Sequence, residues 1–203
     1  VGLPLTLELG KIFKVFAYDK DKIRINSLIK KIDNNNEHTK KEFFNKKILF
    51  TYDEKNLKNC NFYIVCVPTP VTKNLKPDLK PLQNACNLIA KYLNYNDTVV
   101  FESTVYPGLI EEFCAKILQS KSNIPVSHEN KNGFHIGYSP ERVNPGDRIH
   151  NLKNITKVVS SNSKQGLKNL KFVYSKIIKG GIFVASSIKV AETAKVIENV
   201  QRD

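Results

Sequence analysis

Methionine and tryptophan are both absent from the 203 residues, and the chain begins with Val1. Because synthesis starts at a methionine, we expect the natural start of the protein to lie upstream of Val1. No run of residues has the length and apolar character needed to cross a bilayer. No basic, apolar leader with a small-residue cleavage site opens the sequence either. We therefore expect a cytoplasmic globular protein without a membrane partner.

Cysteine is scarce and is not arranged in pairs. Cys60, Cys66, Cys86 and Cys114 form no CxxC motif, and they have no metal-type spacing with the four histidines. In a reducing compartment, a free cysteine behaves as a small apolar residue. We expect four reduced thiols and no metal site.

Acidic residues are also few, since 19 of them face 32 lysines and arginines, which gives a net charge of +13. A basic excess is one mark of nucleic-acid binding. Here the lysines are scattered, and many stand beside asparagines, as in residues 55–59. No face that combines aromatic and basic residues is visible. We interpret the charge as a solvated surface and expect no nucleic-acid partner.

Short β-branched runs alternate with helical patterns along the whole chain, which predicts an α/β fold with a mainly parallel sheet. A chain of this length can form one domain, or one domain and the start of a second. We treat residues 1–187 as one domain. The predicted strands cover 14–19, 48–52, 62–67, 98–101, 134–138, 156–160 and 182–185. The predicted helices cover 2–10, 22–31, 82–93, 108–118, 165–178 and 188–203.

The start of the chain is similar to the end of a dinucleotide-binding fingerprint. In that fingerprint a glycine-rich turn leads into a helix, and an acidic residue after the next strand binds a ribose hydroxyl. Val1 and Gly2 fit the end of the turn, with Gly2 allowing close helix packing, and Asp19 fits the acidic position. The first strand and the other glycines are absent, and a helix-capping role for Asp19 would look similar. This pattern favours NAD and a Rossmann-like, doubly wound fold that lacks its first strand.

Two further predicted strands end in polar, proline-containing segments. VPTP at 67–70 follows one strand, and ESTVYPG at 102–108 closes the next. Ligands of open parallel sheets bind outside the carboxyl ends of the strands. A small hydroxyl residue such as Thr69 or Thr104 can hydrogen-bond a cofactor there. Each segment alone could equally be an ordinary turn. Their occurrence after one strand and then the next is what favours a cofactor site.

Two longer segments make a family resemblance specific. GYSPERVNPGD at 137–147 and ASSIKVAETAKVIEN at 185–199 resemble the UDP-glucose/GDP-mannose dehydrogenase family. With VGLPL, VPTP and ESTVYPG, these motifs follow the family's order and cover essentially the whole chain. The resemblance implies oxidation of the C6 alcohol of a nucleotide sugar to a carboxylate by two NAD. It also implies a catalytic cysteine thioester, and the cysteine of that motif lies beyond Asp203, so none of the four cysteines here is assigned to it.

The resemblance also implies roles for individual residues. Thr104 and Glu141 are expected to handle water and protons near C6, and Lys195 and Asn199 to hold the oxyanion. The positions expected to contact NAD are Val1, Gly2, Asp19, Arg24, Thr69 and Thr104. The residues themselves support part of this, because a spacing of four places Lys195 and Asn199 on one helix face. Both are hydrogen-bond donors, as an oxyanion requires, although a lone helix lysine is more often a solvated charge.

The substrate expectation depends on Pro145. UDP-glucose dehydrogenases usually have an acidic residue four positions after the glutamate, where this chain has Pro145. The ERVNPGD version resembles the branch that acts on UDP-N-acetylglucosamine or UDP-N-acetylgalactosamine for polysaccharide biosynthesis. A UDP-glucose or GDP-mannose 6-dehydrogenase, and a non-catalytic nucleotide-binding fragment, remain the alternatives.

The resemblance finally implies an assembly. Residues 188–203 are expected to begin the long central helix through which the family forms homodimers. The UDP-sugar-binding domain is expected to lie outside this chain. A chain of this length alone is expected to bind NAD poorly and to be inactive.

Overall fold

The computed structural model describes residues 2–44, 47–128, 131–141 and 154–202. The strands in these ranges are β1 Val15–Tyr18, β2 Ile48–Thr51, β3 Phe62–Val65, β4 Thr98–Phe101, β5 His135–Tyr138, β6 Lys157–Ser161 and β7 Ile182–Val184. The α-helices are α1 Gly2–Leu9, α2 Lys22–Ile29, α3 Lys80–Ala90, α4 Ala115–Ser122, α5 Lys164–Ser175 and α6 Ile188–Arg202. Each predicted strand and helix has its counterpart here, with bounds that differ by a few residues.

The strands form two groups. β1 and β2 pair in parallel, and β3 to β7 form a five-stranded sheet in sequence order. The pairs in the larger sheet are parallel except for β5 and β6, which run antiparallel. In the doubly wound order 3-2-1-4-5-6, one strand lies between the positions that β1 and β3 occupy here. The described residues contain no strand at that position, which is the place of the first strand that the sequence was predicted to lack.

Helices cover both faces of the sheet, as a parallel sheet requires. The central strand β4 (TVVF) is buried along its whole length. Val99 and Phe101 point into a core with α3 and α4, whereas Val100 packs on the opposite face with α1 and α5. The β-branched and aromatic residues of β4 therefore serve two cores at once, which confirms the Rossmann-like doubly wound prediction.

The helix predicted over 108–118 differs from the observed one. A π-helical turn, Ile110–Cys114, precedes α4, and the helix continues to Ser122. Gly108 stands before this turn with φ +93°, in the region that favours glycine. The short 3₁₀ turns Lys40–Phe43 and Glu54–Asn59 were not predicted, because their lysine-rich and asparagine-rich sequences have no clear periodicity.

The last helix has two different parts. Ile188 and Ala191, near the start of α6, are buried in the core shared with α3 and α4. Later apolar residues of α6 are exposed, with Ile197 at 53% and Val200 at 70%. None of the helices in the described ranges combines the length and the apolar character of a membrane span.

The buried histidine of β5 makes the fold sensitive to acid. His135 is 3% exposed, its Nδ1 lies 2.8 Å from Ser163 Oγ, and burial lowers its pKa below the usual value. Below pH about 6.5 the unfolded chain therefore binds a proton that the folded chain does not. We expect the free energy of unfolding to fall with decreasing pH by up to about 1.4 kcal/mol per pH unit from this group.

Urea unfolding at pH 7.5, 6.5 and 5.5 measures this dependence. His135→Asn retains a donor near Ser163 and is expected to have a smaller slope than the wild type below pH 6.5. The exposed His128 supplies the matched control, His128→Asn, which should keep the wild-type slope. An unchanged slope in His135→Asn would contradict the assignment.

Candidate functional site

Three strand ends lie at the same level along one edge of the sheet. The last residues of β3, β4 and β5 are register partners, since Val65 pairs with Phe101 and Phe101 with Tyr138. Because these strands are parallel, the segments that follow them emerge side by side. These segments are the sequence motifs VPTP and ESTVYPG and, of the motif SPER, the described residues 139–141.

Hydrogen bonds tie the first two of these segments together. Thr69 Oγ1 donates to the carbonyl oxygen of Thr104 at 2.6 Å, and Ser103 Oγ donates to the carbonyl oxygen of Val67 at 2.6 Å. The structure thus brings together two residues that the sequence analysis assigns to NAD. The Thr69 hydroxyl is engaged through its hydrogen, so it has lone pairs left for a ligand donor.

Asp19 stands at the carboxyl end of β1, and it does not cap the following helix. The cap of α2 is Asp21, whose carboxylate accepts hydrogen bonds from the backbone N–H groups of Ile23 and Arg24. Asp19 accepts from the backbone N–H of Asp21 at 3.0 Å and is exposed. The capping alternative for Asp19 is therefore wrong, and its carboxylate faces solvent at the carboxyl end of β1.

Arg24 is held by an ion pair inside the α2 region. Its Nη2 lies 2.7 Å from Asp33 Oδ1, and the Asp33 side chain is fully buried. Burial raises the pKa of Asp33, but the hydrogen bond from Arg24 and those from backbone N–H groups outweigh it, and the net pKa lies below the usual value. Arg24 Nη1 is buried and has no hydrogen-bond partner in the described part of the chain. Nη2 of this guanidinium is thus engaged by Asp33, whereas the N–H groups of Nη1 make no hydrogen bond to the described residues.

Gly2 does not show the steric need that the fingerprint predicts. A Cβ added at Gly2 would lie 3.5 Å from Cys66 Cβ, which is ordinary van der Waals contact. Its role at the cofactor stays a prediction. Val1 lies outside the described residues, as do Pro145 and the rest of the segment 142–153.

The final helix contacts the same edge of the sheet through Glu192. This residue is fully buried, and its carboxylate accepts the backbone N–H groups of Gly108 at 2.5 Å and Ile110 at 3.0 Å. It thereby joins α6 to the segment that follows Thr104. Glu192, Lys195 and Asn199 share one face of α6 because their spacing is three and four residues.

Lys195 and Glu141 belong to two segments that lie at this edge. Lys195 is 9% exposed, with Nζ 3.4 Å from Glu198 Oε2. Glu141 is half-buried, and burial raises the pKa of its carboxyl. The nearby Glu102 raises this pKa further, whereas the cations of Lys157 and Lys195 lower it. Glu141 therefore lies within electrostatic reach of Lys195, and Asn199 stands partly exposed one turn further along α6.

A buried polar cluster beneath this edge was not predicted. Lys157 Nζ lies 2.8 Å from Glu102 Oε2, and the Tyr174 hydroxyl donates to Glu102 Oε1 at 2.5 Å. Their sequence signal is a lysine that begins the apolar strand β6 and a glutamate directly after the apolar strand β4. Glu192 was missed in the same way, since it is an acidic residue on the buried face of a helix.

Comparison with known proteins identifies the family. Residues 1–178 match the UDP-glucose/GDP-mannose dehydrogenase family, NAD binding domain. The chain belongs to this family. The UDP-N-acetyl-D-glucosamine 6-dehydrogenases of Salmonella typhi and Pseudomonas aeruginosa are 47% and 43% identical to the whole chain. The chain spans 47% of the length of each of these two relatives.

A solved structure of the same family shares the fold. The UDP-D-ManNAc dehydrogenase of Pyrococcus horikoshii superimposes with a TM-score of 0.88 at 26% identity, over the whole of this chain and 48% of that one. The family resemblance drawn from the sequence motifs and the expected NAD cofactor are thus confirmed.

The double hydrogen bond of Glu192 has a measurable consequence. Glu192→Gln keeps the size of the side chain but leaves one of two buried backbone N–H groups without an acceptor. We expect the free energy of unfolding to fall by about 1–3 kcal/mol. Chemical denaturation measures it, and Glu111→Gln, an exposed change on the neighbouring helical turn, is the control. Equal stability of the two variants would contradict the assigned role.

Proposed function

We propose that this chain is the NAD-binding part of an enzyme that oxidises the C6 alcohol of a UDP-N-acetylhexosamine to the uronic acid. In this proposal residues 1–187 form the NAD-binding domain, and residues 188–203 begin the central helix. The observation that supports it most is that the segments of Thr104 and Glu141 leave one edge of the sheet, where Glu192 fastens the helix that carries Lys195. Each residue comes from a different element, and all belong to family motifs.

NAD would lie across the carboxyl ends of β1, β3 and β4. Asp19 offers an exposed carboxylate to the adenosine ribose. Arg24 follows in α2, and its buried Nη1 has no hydrogen-bond partner among the described residues. Thr69 and Thr104, joined by their hydrogen bond, line the same edge further along. The cofactor supplies the hydride acceptor, and these residues supply its binding and orientation.

The chain's own groups then act on the sugar carbon. The ammonium of Lys195 and the amide of Asn199 donate hydrogen bonds to the oxygen at C6 as negative charge develops on it. The half-buried Glu141 accepts and returns a proton, either directly or through water positioned with Thr104. A carboxyl with a raised pKa is suited to this role, because general acid–base catalysis is most effective when the pKa approaches the working pH. The catalytic cysteine of the proposed reaction is expected outside this chain.

The sugar is proposed from the relatives and from Pro145. Two relatives that match the whole chain are named UDP-N-acetyl-D-glucosamine 6-dehydrogenase. Pro145 stands where an acidic residue is usual in the glucose-specific branch, and a neutral residue suits a substrate with an acetamide at C2. UDP-N-acetylglucosamine is therefore the substrate that we propose, with UDP-N-acetylgalactosamine as its epimeric alternative, in polysaccharide biosynthesis.

We also propose a homodimer formed through α6. The helix carries an exposed apolar face that includes Val190, Ile197 and Val200. A shallow groove lies beside it, lined by Ser187, Lys189, Val190, Thr193, Ala194 and Ile197. Exposed apolar patches of this kind are typical of interaction surfaces. The free cysteines, of which Cys86 and Cys114 are buried, support a reducing cytoplasmic location.

Turnover of the full-length enzyme tests the substrate. We expect kcat/KM for UDP-N-acetylglucosamine to exceed that for UDP-glucose and for GDP-mannose by about 100-fold or more, because the proposed site has to accommodate the acetamide. Each uronic acid should form together with two NADH. UDP-N-acetylgalactosamine serves as the epimer control. Preference for an unacetylated sugar would contradict the proposal.

Lys195→Met tests the oxyanion role. Its removal from the full-length enzyme is expected to lower kcat by about 100-fold to 1000-fold with a small change in KM, because the donor acts mainly in the transition state. Lys168→Met removes an exposed lysine of α5, away from the proposed site and dimer surface, and should keep the wild-type kcat. Equal kcat values for the two variants would refute the role of Lys195.

A further inference from the structure

Lys157 and Glu102 form a buried salt bridge between the start of β6 and the end of β4. Lys157 is 0% exposed and Glu102 is 3% exposed, and their charged atoms lie 2.8 Å apart. The Tyr174 hydroxyl donates to the second oxygen of Glu102 at 2.5 Å. Every charged atom of the cluster is therefore engaged by a side chain from another element: β6, the end of β4, or α5.

Stability alone gives no reason for this pair. The desolvation cost of two buried charges offsets most of their attraction, and apolar residues of similar size often serve as well or better. Apolar residues fill the positions two residues away in each strand, since Val159 in β6 and Val100 in β4 are both fully buried. A polar pair at this position therefore calls for a role beyond packing.

The contacts of Lys157 indicate what the role is. Its Nζ lies 3.4 Å from the carbonyl oxygen of Pro140 and 3.5 Å from that of Ser139. These are the two peptide groups that directly precede Glu141. The same region is tied a second time, because Ser139 Oγ donates to the carbonyl oxygen of Val158 at 2.8 Å. The backbone before Glu141 is thus fastened to the start of β6.

Glu102 links the pair to the other loop of the site. It directly follows β4 and stands two residues before Thr104, whose carbonyl oxygen binds Thr69. One ion pair therefore spans the two segments that carry Glu141 and Thr104. The charged groups that influence the Glu141 carboxyl include Glu102, Lys157 and Lys195.

We propose that Lys157 and Glu102 are positioning residues for Glu141, which hold the peptide groups before it and balance the charge around its carboxyl. The inference rests on the role in C6 oxidation proposed above for Glu141. The Lys157 cation lowers the pKa of the Glu141 carboxyl and the Glu102 anion raises it. The two effects of the intact pair therefore largely offset each other. Removing one member exposes the effect of the other.

The pH dependence of kcat in the full-length enzyme tests this. Lys157→Met leaves the negative charge of Glu102 and is expected to move the pH midpoint that depends on Glu141 upward by about one unit. Glu102→Gln leaves the positive charge of Lys157 and is expected to move it downward by about as much. The double variant has neither charge, so its midpoint should lie between those of the single variants.

A matched control separates this effect from loss of stability. Asn169 of α5 donates to Thr98 Oγ1 at the opposite end of β4, at 2.9 Å. Asn169→Leu therefore removes another link between α5 and β4, and it should leave the midpoint unchanged. Shifts of both charge variants in the same direction, or no shift in either, would overturn the inference.

One further variant, together with the double variant, keeps the outcome unambiguous. Glu141→Gln should lower kcat by about 100-fold and remove the midpoint. If Glu141→Gln leaves both kcat and the pH midpoint unchanged, the proposed function of Glu141 is wrong. If Glu141→Gln lowers kcat and removes the midpoint, but the Lys157 and Glu102 variants do not shift the midpoint, only the positioning inference is wrong. If a single charge variant does not fold, the double variant decides through kcat. It is expected to lose about 10-fold at unchanged KM because the carbonyl contacts are gone, and a wild-type kcat would overturn the inference.

Discussion

The parallel register of β3, β4 and β5 is the constraint on which the site depends. Because Val65, Phe101 and Tyr138 are partners in the ladders, the three segments that follow them begin at one level and must share the space above the sheet. The burial of β4 on both faces keeps that register, since a shift by one residue would exchange the two cores. Hydrogen bonds between the segments, such as that from Thr69 to Thr104, then add local order to a placement that the sheet already determines.

The second constraint is the attachment of α6. This helix contributes no strand pairing, so its position over the sheet edge comes from Ile188 and Ala191 in the core and from the carboxylate of Glu192. Glu192 accepts two backbone N–H groups at the start of the helical segment 110–122, where negative charge is favourable. The same helix thus anchors itself with one side chain and presents Lys195 from the next turn.

Much of the fold could be predicted from sequence because its signals are local. The apolar runs at 62–67 and 98–101, and the periodic pattern at 165–178, each specify one element. The antiparallel pairing of β5 with β6 could not be predicted, since strand direction depends on a connection that has no periodic pattern. The motif residues Glu141 and Lys195 were found through the family resemblance. The supporting residues Glu102, Lys157 and Glu192 were not, because a buried charge is recognised only when its partner, distant in sequence, is known.

The proposed function depends most on the placement of Glu141 and Lys195 at one sugar carbon. A crystal structure of the full-length enzyme with NAD and UDP-N-acetylglucosamine measures this directly. We expect Lys195 Nζ about 3 Å from the oxygen at C6, and the Glu141 carboxyl within reach of the same group directly or through one water. A complex in which C6 binds away from both side chains would contradict it.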